Sequence, residues 1–366
     1  MTTAQLLTRI RADLRRRRLD ALLVTQPENR LYLSGYTARD TSLAESAGVL
    51  LIPAAGPPFL FTDSRYHLQA LAEAAGFEVM LYPRGLLVLL EKLLPRLGIR
   101  RLAFESHAIL HATALALMKT AAGVEVEAVP LTGLVERLRV EKSEEELVAI
   151  RKAVRLNEEV FRAVFATLRP GLREREVALH LETLMRQKGA GRPSFDTMVA
   201  SGPNGALPHA VPSDRELREG EPIVIDMGLV LDGYCSDMTR TVVLGEPDAK
   251  TVELFRIVRR AQLAGMERVR AGVAAREVDR AARQVIAAAG YGDYFGHGLG
   301  HGVGLAVHEA PSLNRRNRKH LRAGMVVTVE PGIYLPEWGG IRLENMVAVT
   351  AGGCELLNTD VTFLDL

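Results

Sequence analysis

The stretch from Ile225 to Thr241, IDMGLVLDGYCSDMTRT, decides how this chain is read. Two β-type runs flank Asp232-Gly233, a dipeptide suited to the backbone of a two-residue hairpin turn. With that loop closed, Leu231 stands opposite Tyr234 and Asp226 opposite Thr239, so Asp226 is diagonal to Asp237. Side chains alternate across a strand and cross-strand partners share a face, so both aspartates project from the same side of the hairpin. Two carboxylates aimed at one place repel each other unless something there neutralises them.

Working outward, the second part of the chain repeats itself at an offset of about 101 to 104 residues, the mark of a duplicated unit. Gly171, Arg175, Glu176, Val177 and Gly189 recur as Gly272, Arg276, Glu277, Val278 and Gly290, and LREGEPIVIDMG from Leu217 recurs as LRAGMVVTVEPG from Leu321. The second alignment sets Asp226 against Glu330. A weaker echo, LPHAVPS from Leu207 against AVHEAPS from Ala306, sets His209 against His308. Two such halves meeting about a pseudo-two-fold axis bring their carboxylates into one cleft. Glu330 and Glu344 lie an even number of residues apart. They share a face only if the loop around Pro336 to Gly340 has an odd count or a bulge.

The segment GHGLGHGVGLAVHE, from Gly296 to Glu309, adds His297, His301 and His308 in a glycine-rich background that permits close backbone approach. Four converging carboxylates with imidazole describe a site for two divalent cations, which polarise a carbonyl and supply a nucleophile at neutral pH. The glycines do not make a phosphate loop, because the lysine of a strand-to-helix P-loop is missing and the histidines would have no role.

The rest of the chain sets the frame. Apolar runs at Ala21 to Thr25, Val49 to Ile52, Glu78 to Tyr82 and Leu102 to Phe104 alternate with segments of helical period, an α/β pattern. Leu6, Leu7, Ile10 and Leu14 share one helical face ahead of Arg15 to Arg18. Ser143 and Glu146 form a capping box that opens a new unit, so a domain over residues 1–135 precedes one over residues 140–366. The 366 residues are 48% apolar and 25% charged with a net charge of +2, which gives no basic field for nucleic acid or an anionic membrane. The best apolar run, Val49 to Phe61, is broken by Pro53, Pro57 and Pro58 and does not span a bilayer. With no apolar signal core and with only Cys235 and Cys354, a cytoplasmic location is expected.

In order and spacing, IDMGLVLDGYCSDMTRT, GHGLGHGVGLAVHE, VEPGIY and IRLEN resemble the motifs of the metallopeptidases with the pita-bread fold, most closely the prolidase and Xaa-Pro aminopeptidase branch. The resemblance covers nearly the whole chain. It implies an α/β (α+β) protein in which a creatinase-like N-terminal α/β domain precedes a duplicated pita-bread catalytic domain. It also implies a homodimer in which the N-terminal domain helps to close the cleft. The metal ligands it implies are Asp226, Asp237, His301, Glu330 and Glu344, with Asp237 and Glu344 bridging two divalent ions. Glu330 would be general base and proton shuttle. His209, His297 and His308 would surround the scissile bond, His297 either contacting substrate or orienting the ligand shell. Tyr334 and Arg342 match family positions beside the site, Arg342 as a substrate contact or as a structural partner of the carboxylates. Mn is the implied metal. An oxygen-rich set with one imidazole suits Mn, Co or Fe better than a cysteine-rich zinc site would, although Zn can also occupy it.

The implied substrate is a small peptide with proline at its second position. Proline lacks an N–H and its preceding bond is a tertiary amide, so a protease gripping extended backbone loses a donor there. A prolidase must also recognise the free proline carboxylate, and where well-known prolidases carry an arginine after HEAP this chain has Ser312. Arg39, in the loop GYTARDTS, is the candidate replacement. The expected function is an Xaa-Pro dipeptidase (prolidase), with aminopeptidase P acting on longer peptides as the alternative. A metal-free creatinase-like hydrolase or binding module predicts lost ligands, yet all five are present. A methionine aminopeptidase needs no additional N-terminal domain.

Overall fold

The computed structural model describes residues 1–364 and divides into two compact units, Met1–Arg139 and the part from Val140 on. In the first, the helix Thr3–Arg16 opens with a capping box. The Thr2 hydroxyl accepts from the Gln5 amide, and the Gln5 side chain accepts from the Thr2 N–H. Its buried face is Leu6, Leu7, Ile10 and Leu14, the stripe expected from the sequence. Arg15 and Arg16 occupy the last turn, where their charge suits the carbonyl end of the helix.

A six-stranded sheet runs in the order Glu78–Leu81, Phe59–Thr62, Val49–Pro53, Ala21–Val24, Arg101–Glu105, Glu127–Leu131. The Val49–Pro53 strand pairs antiparallel with both neighbours, and the remaining pairs are parallel. Ala21–Val24 is buried at every position, as a strand covered on both faces must be. One face packs against Leu6, Ile10 and Leu14, the other against Leu90, Leu94 and Leu117.

The second unit opens with the helix Glu144–Phe165, capped reciprocally by Ser143 and Glu146. The duplication appears as matched elements. The helices Glu174–Gln187 and Ala275–Ala288 have the same length, and Gly171 and Gly272 precede them with φ of 87° and 85°. Each introducing glycine donates its N–H to an equivalent carbonyl, Leu217 in one half and Leu321 in the other.

The expected hairpin register is observed. Leu231 pairs with Tyr234, and Asp226 with Thr239. Asp232 and Gly233 both have positive φ, 50° and 85°, the signature of the turn that matches strand twist. In the other half Leu335 pairs with Gly339, leaving a three-residue loop, Pro336 to Trp338. That odd count, with Val329 opposite Asn345 on the adjoining strands, puts Glu330 and Glu344 across from each other. No helix among the described residues is long and apolar enough to cross a membrane.

Candidate metal centre

Asp226 is the penultimate residue of the strand Pro222–Met227, and Asp237 stands just before Met238–Val243. Glu330 follows Val326–Val329, Glu344 precedes Asn345–Val349, and His301 is the middle residue of Gly300–Gly302. The halves are stitched together where the carboxylates meet. The Glu344 amide donates to the Thr239 carbonyl, and the Thr239 hydroxyl donates to Glu344 Oε2 at 2.7 Å. Gly300 is obligatory here, because a Cβ on it would lie 2.1 Å from the Thr328 carbonyl oxygen. That approach lets the His301 amide donate to Thr328 Oγ1, which donates in turn to Glu330 Oε1.

All five expected ligands line one cavity of about 600 Å³, together with His209, His297, His308 and Arg342. The tightest group is Asp237, His301 and Glu344, each with a ligand atom within 4.8 Å of the others. His301 Nδ1 faces the Gly302 carbonyl at 3.1 Å, which assigns the proton to Nδ1 and leaves a lone pair on Nε2. That lone pair points at Asp237 Oδ2 (3.5 Å) and Glu330 Oε1 (3.3 Å). Acceptor faces acceptor on all three groups.

Asp226 and Glu344 are each half satisfied. Asp226 Oδ2 accepts from Arg342 Nη2 at 2.6 Å and Glu344 Oε2 from Thr239. Asp226 Oδ1 and Glu344 Oε1 are buried with no hydrogen-bond partner among the described residues. Buried polar atoms left this way are costly, and a divalent cation is what such bare oxygens and a lone imidazole nitrogen fit. Without one the electrostatics invert. Burial, reinforced by Glu344, Asp226 and Glu330, raises Asp237 well above the ordinary carboxylate range. Burial, with Glu330 and Asp226 beside it, does the same to Glu344. Burial lifts Glu330 to about 8 against the pull of Arg342, and lowers His301 to about 4.

Around this cluster lies a relay of fixed groups. The His297 ring donates from Nδ1 to the Gly298 carbonyl (2.8 Å), so its Nε2 accepts from the Tyr334 hydroxyl at 2.9 Å. Tyr334 in turn accepts from Arg342 Nη1. Burial raises Tyr334 to about 12 and lowers His297 to about 4, so the relay is neutral apart from the arginine. Arg342 is 2% exposed, and its donors go to Thr239, Pro208, Tyr334 and Asp226. Of the two roles open to Arg342, this geometry favours the structural partner of the carboxylates. His297 has both ring nitrogens engaged.

Below them, Arg283, paired with Asp279, clamps the carbonyls of Phe295 and His297. The loop bearing His209 is folded about the buried Glu174 carboxylate, which accepts from Ser201, Asn204 and Ser213. His209 and His308 are exposed at the cavity, and burial followed by the neighbouring His209 lowers the pKa of His308. Arg39 is an exposed residue of the first unit. Thr239 and Thr328 were not among the expected site residues, though both were legible. Thr239 is the hairpin partner of Asp226, and Thr328 shares a strand face with Glu330 by the period of two.

Residues 148–351 match Metallopeptidase family M24, and residues 7–140 match the Creatinase/Prolidase N-terminal domain. The chain is 39% identical over 335 residues, 92% of each protein, to a Bacillus subtilis protein described as uncharacterized peptidase YqhT. Among solved structures it resembles the Xaa-Pro dipeptidase from Bacillus anthracis, with a TM-score of 0.91, 37% identity and 98% of each chain covered. It also resembles the X-Pro aminopeptidase from Thermotoga maritima, with a TM-score of 0.85 and 36% identity over 93% of this chain and 96% of that one.

Proposed function

Because the chain belongs to metallopeptidase family M24 and its family uses divalent metal, we propose that it hydrolyses the bond between an N-terminal residue and a following proline. We take the substrate to be a dipeptide, with longer Xaa-Pro peptides as the second reading, which the likeness to the Thermotoga aminopeptidase supports. The observation that carries the proposal is the cluster of bare acceptor atoms on Asp226, Asp237, His301, Glu330 and Glu344 in one cavity. Those residues would hold two ions, for which Mn suits the donors best, Co, Fe and Zn being the alternatives, with Asp237 and Glu344 shared between them. When bound, such ions neutralise the carboxylates, polarise a scissile carbonyl and lower the pKa of the attacking water.

Glu330, steadied by Thr328, takes the proton of that water and returns it to the leaving proline nitrogen. His209 and His308 donate hydrogen bonds to the developing oxyanion and to the departing amine. Tyr334 and Arg342 hold His297 and Asp226 in place. The decisive assay compares hydrolysis of Ala-Pro and Ala-Pro-Ala with and without added Mn. Metal-dependent release of alanine from both supports an Xaa-Pro peptidase, a strong preference for Ala-Pro supports the dipeptidase, and cleavage of neither removes the proposal.

His209→Ala and His308→Ala should keep their metal and lose roughly 10²-fold in kcat if each acts only on the transition state. Metal content measured beside the rates checks this, since a variant losing both in proportion identifies a ligand.

For the free carboxylate of a dipeptide we retain Arg39 on the strength of the sequence. Arg39→Ala should raise KM for Ala-Pro by roughly 10- to 150-fold, the worth of a charge-assisted hydrogen bond, and leave Ala-Pro-Ala nearly unchanged. Equal effects on both substrates move the assignment to the aminopeptidase. A cytoplasmic homodimer completes the proposal.

A further inference from the structure

A second cavity, of about 730 Å³, shares no lining residue with the first. Arg276, Arg280, Arg283 and Gln284 of the helix Ala275–Ala288 line it, with Asp293 and Arg315 completing the wall. Arg283 is committed to Asp279, but Arg276, Arg280 and Arg315 are exposed and make no side-chain hydrogen bond or ion pair among the described residues. Their placement costs stability. Arg276 and Arg280 stand four apart on one helix face and repel each other, and Arg276 lies in the first turn, where the helix dipole disfavours a cation. Three unpaired cations thus face one acid on this wall, Asp293.

The loop that brings Arg315 is fixed. Asn314 Oδ1 accepts from the amides of Arg316 and Asn317, the Asn317 side chain donates to the Ser312 carbonyl at 2.7 Å, and the Arg276 amide donates to the Asn317 carbonyl. Two contacts join this wall to the first cavity. Asn314 lines the first cavity while its neighbour Arg315 lines the second. Arg283 also holds the carbonyls of Phe295 and His297 at 2.8 and 2.7 Å, and Asp279 accepts from the Leu299 amide at 3.1 Å, so one ion pair secures the segment that enters the metal centre.

We propose that this second cavity is an effector site for a phosphomonoester, whose binding draws on Arg283 and slows turnover at the first. A phosphoryl group carries close to two negative charges at neutral pH and offers three oxygens to planar guanidinium forks, which matches the surplus of arginine. The volume suits an organic ester better than phosphate alone. Drawn toward the anion, Arg283 gives up part of its hold on the two carbonyls, and His297 loses its alignment with Tyr334. The site stands apart from the peptidase proposal, and only the rate measurement rests on that reading.

The test titrates AMP, inorganic phosphate and adenosine into the metal-loaded protein by calorimetry at constant ionic strength, for the wild type and the double variant Arg276→Gln/Arg280→Gln. AMP should bind more tightly than inorganic phosphate and adenosine not at all, and the double variant should lose roughly 10-fold or more in affinity for AMP with no fall in thermal midpoint. In Ala-Pro hydrolysis AMP should lower the wild-type kcat by roughly 5-fold or more at unchanged KM, and this effect should vanish in the double variant. Equal affinity of the two proteins for AMP overturns the site. Competitive inhibition that survives in the double variant puts the phosphoryl group on the metal ions and overturns it too. Inorganic phosphate binding as tightly as AMP overturns the ester as ligand, and binding without a change in kcat overturns the control of turnover. A wild type that cleaves Ala-Pro under no metal condition overturns the peptidase proposal, and calorimetry then decides the site by itself.

Discussion

Asp237→Ala and Glu344→Ala should each reduce turnover to background and lower metal content, Glu344→Ala the more completely. Both carboxylates lie in the tight group with His301, and both are proposed to be shared between two ions, so each truncation removes a donor from both at once. Glu344 also joins the two halves through Thr239, and it loses that hydrogen bond as well. Loss of His301 should chiefly affect one ion. The measurements are metal content of purified wild type and variants, rates on Ala-Pro, and circular dichroism to establish that the variants are folded. Asp237→Asn, which keeps the volume and one acceptor, should lose affinity without losing fold. A fully active Asp237→Ala enzyme removes the two-ion assignment, and a variant that retains two ions but not activity moves Asp237 from ligand to catalytic group.

Arg342→Leu should destabilise the second unit by about 3–5 kcal/mol, the usual cost of removing one partner from a buried ion pair. The Arg342 side chain is buried at 3% exposed, and that of Asp226 is mostly so at 19%. Arg342 also gives hydrogen bonds to Thr239, Pro208 and Tyr334, so its loss strands several acceptors at once. Trp338, the single tryptophan, sits in the Glu330-to-Glu344 hairpin loop, and its fluorescence reports unfolding of this unit. In urea at neutral pH with chelator present, the variant should unfold at a clearly lower midpoint. Added Mn should narrow the gap, because an ion bound to the native state supplies Asp226 with positive charge and stabilises by mass action. Arg342→Lys should fall between, keeping the charge but not the planar fork of donors. A loss below about 1 kcal/mol in chelator would show that Asp226 finds other compensation, and a substrate role for Arg342 would then return.

Much of this was legible in one dimension because the devices involved are local or periodic. The Asp232-Gly233 turn dictates its own register, so Asp226 opposite Thr239 follows from counting. Capping at Ser143 needs only a residue three positions on, and the buried stripe of Leu6, Leu7, Ile10 and Leu14 needs only the period of a helix. The duplication needs only a comparison of the chain with itself, and it aligns Asp226 with Glu330.

What the tertiary structure alone decided concerns partners from separate segments. Whether Glu330 and Glu344 share a face hung on a loop whose count the residues left open, and the three-residue turn settled it by pairing Leu335 with Gly339. The commitment of Arg342 to Asp226, Tyr334, Thr239 and Pro208 joins chain positions far apart, as does the tautomer that Gly298 and Tyr334 impose on His297. Local propensity and periodicity are properties of neighbours along the chain. Which donor is spent, which oxygen is left bare and which side chain is turned toward the cavity are set by packing between segments, and there the fold alone supplies the answer.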